Sequence, residues 1–405
     1  MLAPLRLRDF RLLWIGLTAS LIGDGIYLVA IAWQAYQISN SPTALAVTGV
    51  AWTLPAVILL PFTGVLSDRA GRRPLMITAY LLRAAATAVI GLVSLAGHAQ
   101  IWHLIALSVV FGIGDALFAP SFAALVPEIV PERLLVQANS LDQAMRPLAM
   151  QFLGPALGGA LVASVGSGTG FVIDSGCLLF GAAMLGLMHP PRTKRADADT
   201  SVMADLREGA AYVRHNVWLS STLLAFSLTV LAFWGPVDVL VPYLIRNGIG
   251  GGAGGFGLVL AAGGAGAIAS AVIVSISGLP ARRLAMTLGA FVVAGYATAL
   301  YGLAGELWQM ALISTVSGAC FAAGLIAWST TMQTRVPADL LGRVSALDWM
   351  VSSALVPVSY ALVGPVSSVI GVRETLVIAG LIAGSILVVV LVAVPELRAP
   401  EPALR

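Results

Sequence analysis

Long apolar stretches separated by short polar breaks run the length of this chain. They lie near residues 12–37, 43–66, 74–96, 101–126, 138–165, 169–189, 218–245, 254–277, 284–304, 307–334, 344–369 and 373–394. Each has the roughly 20 residues that carry an α-helix across the hydrocarbon core of a bilayer. Lipid offers the backbone no hydrogen-bonding partner, so a spanning segment has to satisfy its own amides. Continuous apolar runs do this as helices, whereas barrel strands are shorter and alternate in polarity. The pattern predicts an all-α membrane protein with twelve transmembrane helices.

The longest polar break, Pro190 to Val217, falls near the midpoint. It divides the chain into a six-helix bundle over 1–189, a cytoplasmic linker over 190–217 and a second six-helix bundle over 218–405. Within the linker, 192–200 reads as flexible chain. Residues 204–215 have helical spacing with Leu206, Ala210 and Val213 on one side, as in a helix lying along the cytoplasmic membrane face. The halves also repeat faintly. Val130-Pro131-Glu132-Arg133-Leu134-Leu135 returns 206 residues later as Val336-Pro337-Ala338-Asp339-Leu340-Leu341, and both runs continue to a Leu-Asp pair, Leu141-Asp142 and Leu347-Asp348. Such repeats suit a two-bundle transporter with its substrate site near the membrane midplane.

Composition points to the same class. A chain of 405 residues that is 59% hydrophobic and 10% charged cannot hide its apolar surface in a soluble core. Arg6, Arg8 and Arg11 precede the first apolar run as in a signal peptide, but the run is too long and no small-residue cleavage pattern follows it. With both termini inside, 18 of the 22 basic residues fall on the cytoplasmic side, Arg246 and Arg373 fall outside, and Arg83 and Arg146 lie within spans. The net charge of +3 therefore reports topology, and nucleic acid is not an expected partner. Cys177 and Cys320 both lie in apolar spans and make neither a disulfide framework nor a metal set. His98, His103, His189 and His215 sit at span ends, which argues against a metal centre, and glycine-rich 250–257 lacks the lysine of a phosphate-binding loop. No cofactor is expected.

One polar run, Gly64-Val65-Leu66-Ser67-Asp68-Arg69-Ala70-Gly71-Arg72-Arg73, resembles the cytoplasmic loop signature of the major facilitator superfamily. Glycine stands first and eighth, Asp fifth, Arg sixth, and bases ninth and tenth. The resemblance implies the major facilitator fold of two six-helix bundles and a transport function. It further implies that Asp68 sits against the N-terminus of the eleventh helix, near Gly342-Arg343-Val344, where unpaired amides favour an anion. Arg72 would pair with an acid ending the fourth span, for which Glu128 is available. Gly64, Asp68, Arg69, Gly71, Arg72, Arg73, Glu128 and Arg343 together would latch the cytoplasmic side. A second run, Leu153-Gly154-Pro155-Ala156-Leu157-Gly158-Gly159, resembles part of the antiporter signature of exporters, with Met150 standing where that signature has glycine. Pro155 kinks the span, and Gly154, Gly158 and Gly159 offer a flat packing surface. Ser20-Leu21-Ile22-Gly23-Asp24, Arg83, Glu208-Gly209 and Gly342-Arg343 are similar to the drug:proton antiporter branch that includes macrolide and enterobactin efflux proteins.

Ionisable groups within lipid are expensive, so each is a functional candidate. Asp24 lies in the middle of the first span and Asp115 in the middle of the fourth, with Arg83 in the third able to neutralise either. Asp24 is the first candidate proton carrier and Asp115 the second; a permanent Asp24–Arg83 ion pair is the alternative. Asp174 and Asp238 lie nearer the outer half of their spans or in unsettled register and are set aside as primary carriers. Asp142 and Arg146 read as a local i, i+4 pair. Trp33, Phe233, Trp234, Phe321 and Trp328 are the candidate substrate contacts, since aromatic surfaces suit large amphipathic or cationic molecules. The reading is a monomeric secondary transporter that exports small organic molecules by proton antiport. An uptake symporter, a lipid flippase and a transporter-like receptor are the alternatives.

Overall fold

The computed structural model of the chain describes residues 3–189, 202–337 and 340–400. Among these there are helices and connecting turns and no strands. The helices are α1 (Arg8–Ile38), α2 (Pro42–Ala70), α3 (Arg72–Leu95), α4 (Ile101–Ile129), α5 (Glu132–Val165), α6 (Ser167–Gly186), α7 (Val202–His215), α8 (Val217–Ile249), α9 (Ala253–Ser277), α10 (Arg283–Leu303), α11 (Leu307–Arg335), α12 (Leu341–Ile370) and α13 (Val372–Ala393). All but α7 are long and apolar enough to cross a membrane. Large apolar side chains stand bare on their surfaces, with Ile276 82% and Val369 84% exposed, as lipid-facing groups must be.

Helix boundaries depart from the hydropathy reading in an instructive way. The signature run, expected as a loop, is mostly helix: α2 continues to Ala70 and α3 starts at Arg72. Only Gly71 lies outside, with φ +88°, a left-handed conformation that a side chain would strain. Single glycines of the same kind, Gly166 (φ +88°) and Gly371 (φ +99°), separate α5 from α6 and α12 from α13. Helices α5 and α12 begin at Glu132 and Leu341, ahead of the expected 138 and 344. Hydropathy marks where lipid begins; the polar helix formers before that point extend the helix into water.

The chain forms two compact units, Met1–Ala196 with Ile245–Ala261 and Asp197–Leu244 with Ala262–Arg405. In the first, α1 packs on α5 and α6, α2 on α4, and α3 on α4 and α6. In the second, α10 packs on α11 and α13, and α8 on α12 and α13. Apolar helices gain little from burial against each other in lipid, so close approach supplies the packing energy, and glycine permits it. At Gly112 the carbonyl of Trp52 on α2 occupies the space a Cβ would need. The second unit repeats this 206 residues on, where Gly318 of α11 meets the carbonyl of Gly263 on α9. The same spacing recurs at the helix starts: Gln100 with His103 caps α4, and Glu306 with Gln309 caps α11. The ring of His103 is thus committed to the Gln100 amide at 3.1 Å.

Helix α7 belongs to the second unit. Tyr212 and Val213 pack against the buried cluster around Trp218, Trp328 and Val344, and Gly209 lies against Leu347 and Arg343 of α12, where a Cβ would stand 2.9 Å from Leu347 Cδ1.

Replacing Gly112 or Gly318 by Leu forces α2 from α4, or α9 from α11, and should destabilise the protein by about 1–3 kcal/mol or more. Thermal unfolding in detergent should show a lowered Tm for both. Gly176→Leu is the control, because nothing lies within 4 Å of a Cβ there.

Candidate functional site

The first unit carries its membrane-embedded charge around one guanidinium. Arg83 of α3 donates from Nη2 to Oδ1 of Asp24 on α1. Its Nη1 lies 3.9 Å from Oδ1 of Asp115 on α4, and its Cζ stands 4.4 Å from the centre of the Phe111 ring. Phe111 in turn stacks on Tyr27 of α1, centroids 4.5 Å apart and planes 4° from parallel. Phe111, Gly114 and Asp115 occupy i, i+3 and i+4 on α4 and therefore share the face turned to α3. Gly114 is the gap through which Arg83 passes: a Cβ there would lie 2.6 Å from Arg83 Cγ and 2.9 Å from the carbonyl of Ala79. Side-chain exposure grades outward from Arg83 at 4% through Asp24 at 14% to Asp115 at 44%. The three residues chosen from sequence are thus together, with the guanidinium innermost and Asp115 reaching the surface of the unit.

Two residues that sequence reasoning passed over complete the cluster. Phe111 carries no charge and looked like any apolar span residue. Asp174 of α6, set aside for its position, is fully buried and packed against Gly23, one residue from Asp24.

The signature residues fall into three groups. Arg72 donates to Glu128 at 2.7 Å and to the carbonyl of Ala124 at 2.6 Å, tying the start of α3 to the last turns of α4. Arg73 donates to the carbonyl of Leu185 at 2.7 Å, placing a cation at the C-terminal end of α6, where exposed carbonyls favour one. Gly64, Asp68 and Arg69 stand on the final turns of α2, and their surroundings lie outside the described residues. Arg343 pairs with Glu208 of α7 at 2.6 Å. Asp142 and Arg146 pair at 2.9 Å, and Arg146 lies 5.4 Å from the Phe122 ring centre.

The glycine motif packs α5 on both sides. A Cβ at Gly154 would stand 2.6 Å from Gly25 Cα, and one at Gly158 would stand 2.9 Å from Ile26 Cα, so this face is pressed onto α1 beside Asp24. Gly159 faces Gly257 of α9 at a similar approach, 2.8 Å from its Cα. Ahead of the motif, Pro147–Leu153 forms a wide turn in which the Gly154 amide reaches back to Ala149. Pro155 lacks an N–H and crowds the preceding turn, and opening the helix there relieves both defects.

In the second unit the candidate aromatics join a continuous series of ring contacts. Phe321 of α11 stacks with Phe233 (6.3 Å) and meets Trp234 edge-on (6.1 Å), and Phe291 of α10 adjoins it at 5.4 Å. These four are half-buried. The series continues through Phe226 to Trp328 and Trp218. Trp328, a candidate substrate contact, is 4% exposed and gives its indole N–H to Asp348 at 3.0 Å. Trp33 lies apart from this series in the first unit, stacked with the Arg246 guanidinium at 5.3 Å. Asp238, in a second wide turn over Pro236–Leu240, accepts from the Tyr360 hydroxyl at 2.5 Å. Among the described residues no group of three or more His, Cys, Asp or Glu could hold a metal ion.

A family model described as a transmembrane secretion effector matches residues 1–403. Macrolide efflux protein A of Streptococcus pyogenes is 22% identical over 377 residues, which span 92% of this chain and 92% of that protein. The multidrug efflux pump Tap of Mycolicibacterium fortuitum is 27% identical over 401 residues, spanning 96% of this chain and 95% of the pump. A solved bacterial homologue of the human lysosomal transporter Spinster, inward-facing and unoccupied, aligns over 98% of this chain and 99% of its own. That match has a TM-score of 0.70 at 16% identity and speaks to fold alone.

Gly114→Ala displaces the Arg83 side chain at its root. Transport measured at equal membrane abundance should fall by roughly tenfold, the equivalent of about 1.4 kcal/mol of misplaced charge. Gly176→Ala should leave it unchanged.

Proposed function

Because the chain belongs to the transmembrane secretion effector family of the major facilitator superfamily, we propose that this membrane transporter exports small organic molecules in exchange for protons. The observation that carries the reading is the sharing of one buried guanidinium between two carboxylates of unequal exposure, Arg83 between Asp24 at 14% and Asp115 at 44%. In a low-dielectric interior one cation balances one anion well and two poorly. A proton on Asp24 therefore frees Arg83 from it, and a cationic group arriving at Asp115 favours the return of Arg83 to Asp24. Proton and substrate compete for one charge balance, as exchange requires. Within the second unit, Phe233, Trp234, Phe291 and Phe321 form an apolar surface of the kind that suits large amphipathic molecules. Efflux by the macrolide and multidrug relatives supports the outward direction.

The division of labour follows the sequence: bundles over 1–189 and 218–405, a cytoplasmic linker over 190–217, and both termini in the cytoplasm of a bacterial-type cell. The signature residues, with Arg72 on Glu128, serve as the cytoplasmic latch. The protein acts as a monomer with its substrate and protons.

Substrate-driven proton movement in proteoliposomes tests this, with cationic dyes, macrolides and siderophores as the panel. Protons should move opposite to the substrate, and Asp24→Asn should reduce the coupled flux by roughly tenfold or more. Movement in the same direction would assign symport. Undiminished flux in the variant would pass the carrier role to Asp115.

A further inference from the structure

Asp174 has no role in the exchange just described, yet its setting is unusual. It is 0% exposed in the middle of α6, between α1 and α3. A Cβ at Gly23 would stand 2.6 Å from its Oδ1, so glycine there makes the room it occupies. Its neighbour Ser175 donates to the carbonyl of Ala84 at 2.9 Å. Asp174 is thereby held beside Gly23-Asp24 on one side and Arg83-Ala84 on the other.

Neither carboxyl oxygen receives a hydrogen bond. The titratable groups in its field are Asp24 and Tyr27 of α1, Arg83 of α3 and Cys177 on its own helix, and the hydroxyl of Thr87 on α3 faces it. That hydroxyl also lies 3.1 Å from the Arg83 carbonyl and 3.4 Å from that of Ala84, so its single hydrogen is contested and it is at most one donor to the carboxyl. A fully buried carboxylate with at most one contested hydroxyl donor and no free cation is costly to keep ionised. A carboxylic acid is satisfied there, since its O–H can point at Thr87. The one cation within reach, Arg83, is engaged by Asp24, and its Nε is buried without a partner.

We propose that Asp174 is a second proton-binding site of the first unit, neutral while Arg83 is paired with Asp24 and ionised when Asp24 takes up a proton. The inference rests on the proton-coupled reading of this site and extends it. One proton binds to the Asp24 carboxylate, the Arg83–Asp24 bond breaks, and Arg83 turns to Asp174, whose proton leaves to water. The positive charge gained when Asp24 binds its proton is cancelled only once Asp174 has lost its own, and the ion pair moves from the less buried acid to the fully buried one.

Infrared spectra of the purified full chain in lipid nanodiscs at neutral pH, taken without substrate or gradient, read this directly. The intact protein should show a protonated-carboxyl C=O band that is lost in Asp174→Asn and displaced in Asp174→Glu, the second variant guarding against a folding failure of the first. In Asp24→Asn the band should also be lost, because the freed guanidinium ionises Asp174. An intact protein with no Asp174-dependent band would overturn the proposal, as would a band that persists in Asp24→Asn. These spectra do not depend on transport. Absence of substrate-driven proton flux would therefore sink the exchange reading while leaving the state of Asp174 to be read separately.

Discussion

A guanidinium inside a membrane has to be answered by protein, because hydrocarbon answers nothing. Around Arg83 that requirement sets the identity of residues on three neighbouring helices. Asp24 supplies the opposite charge, Phe111 supplies a ring face, Gly114 supplies passage, and Gly23 gives Asp174 a place beside the pair. None of these would be needed if position 83 were apolar. The surrounding helices are consequently held in register by a polar centre, and the order of exposure from Arg83 to Asp115 follows from which helix faces remain uncovered.

Close approach is the second organising constraint. The glycines of α5 bring its backbone against α1 at Gly25 and against α9 at Gly257. Contacts of this kind contribute through dispersion, which is steep in distance, so a single methyl group is enough to spoil them. The motif thus places a rigid wall immediately behind Asp24. Charge and packing are adjacent by construction: the residue that carries the acid is followed by the residue that must be glycine.

How much of this could be read from the chain depended on which physical signal was available. Span number and type were legible because lipid imposes a length and a hydrogen-bonding rule that any sequence must obey. The neighbourhood of Arg72 and Glu128 was accessible through family resemblance, and the two side chains do meet, at 2.7 Å. Facing was not legible. A spanning helix is apolar on all sides, so no amphipathic stripe says which residues point inward. Trp328 was for that reason counted with the substrate contacts although it is buried, and Asp174 was judged by its depth along the helix when its direction mattered more. Phe226 and Phe291, which join the aromatic series, carried no motif at all. The polar break between the spans ending at 66 and beginning at 74 suggests a turn by its bases and glycine, whereas only Gly71 breaks the helix.

The wide turn in α5 carries one residue more than an ordinary helical turn. Expelling that residue would rotate everything on one side of it by about 100°, the angle per residue of an α-helix. The flat glycine face would swing away from Gly25, and bulkier neighbours such as Leu153 and Leu157 would have to enter a space sized for hydrogen atoms. Turn and contact therefore hold each other in place: the extra residue aims the glycines at α1, and the glycines keep the helix from winding itself regular.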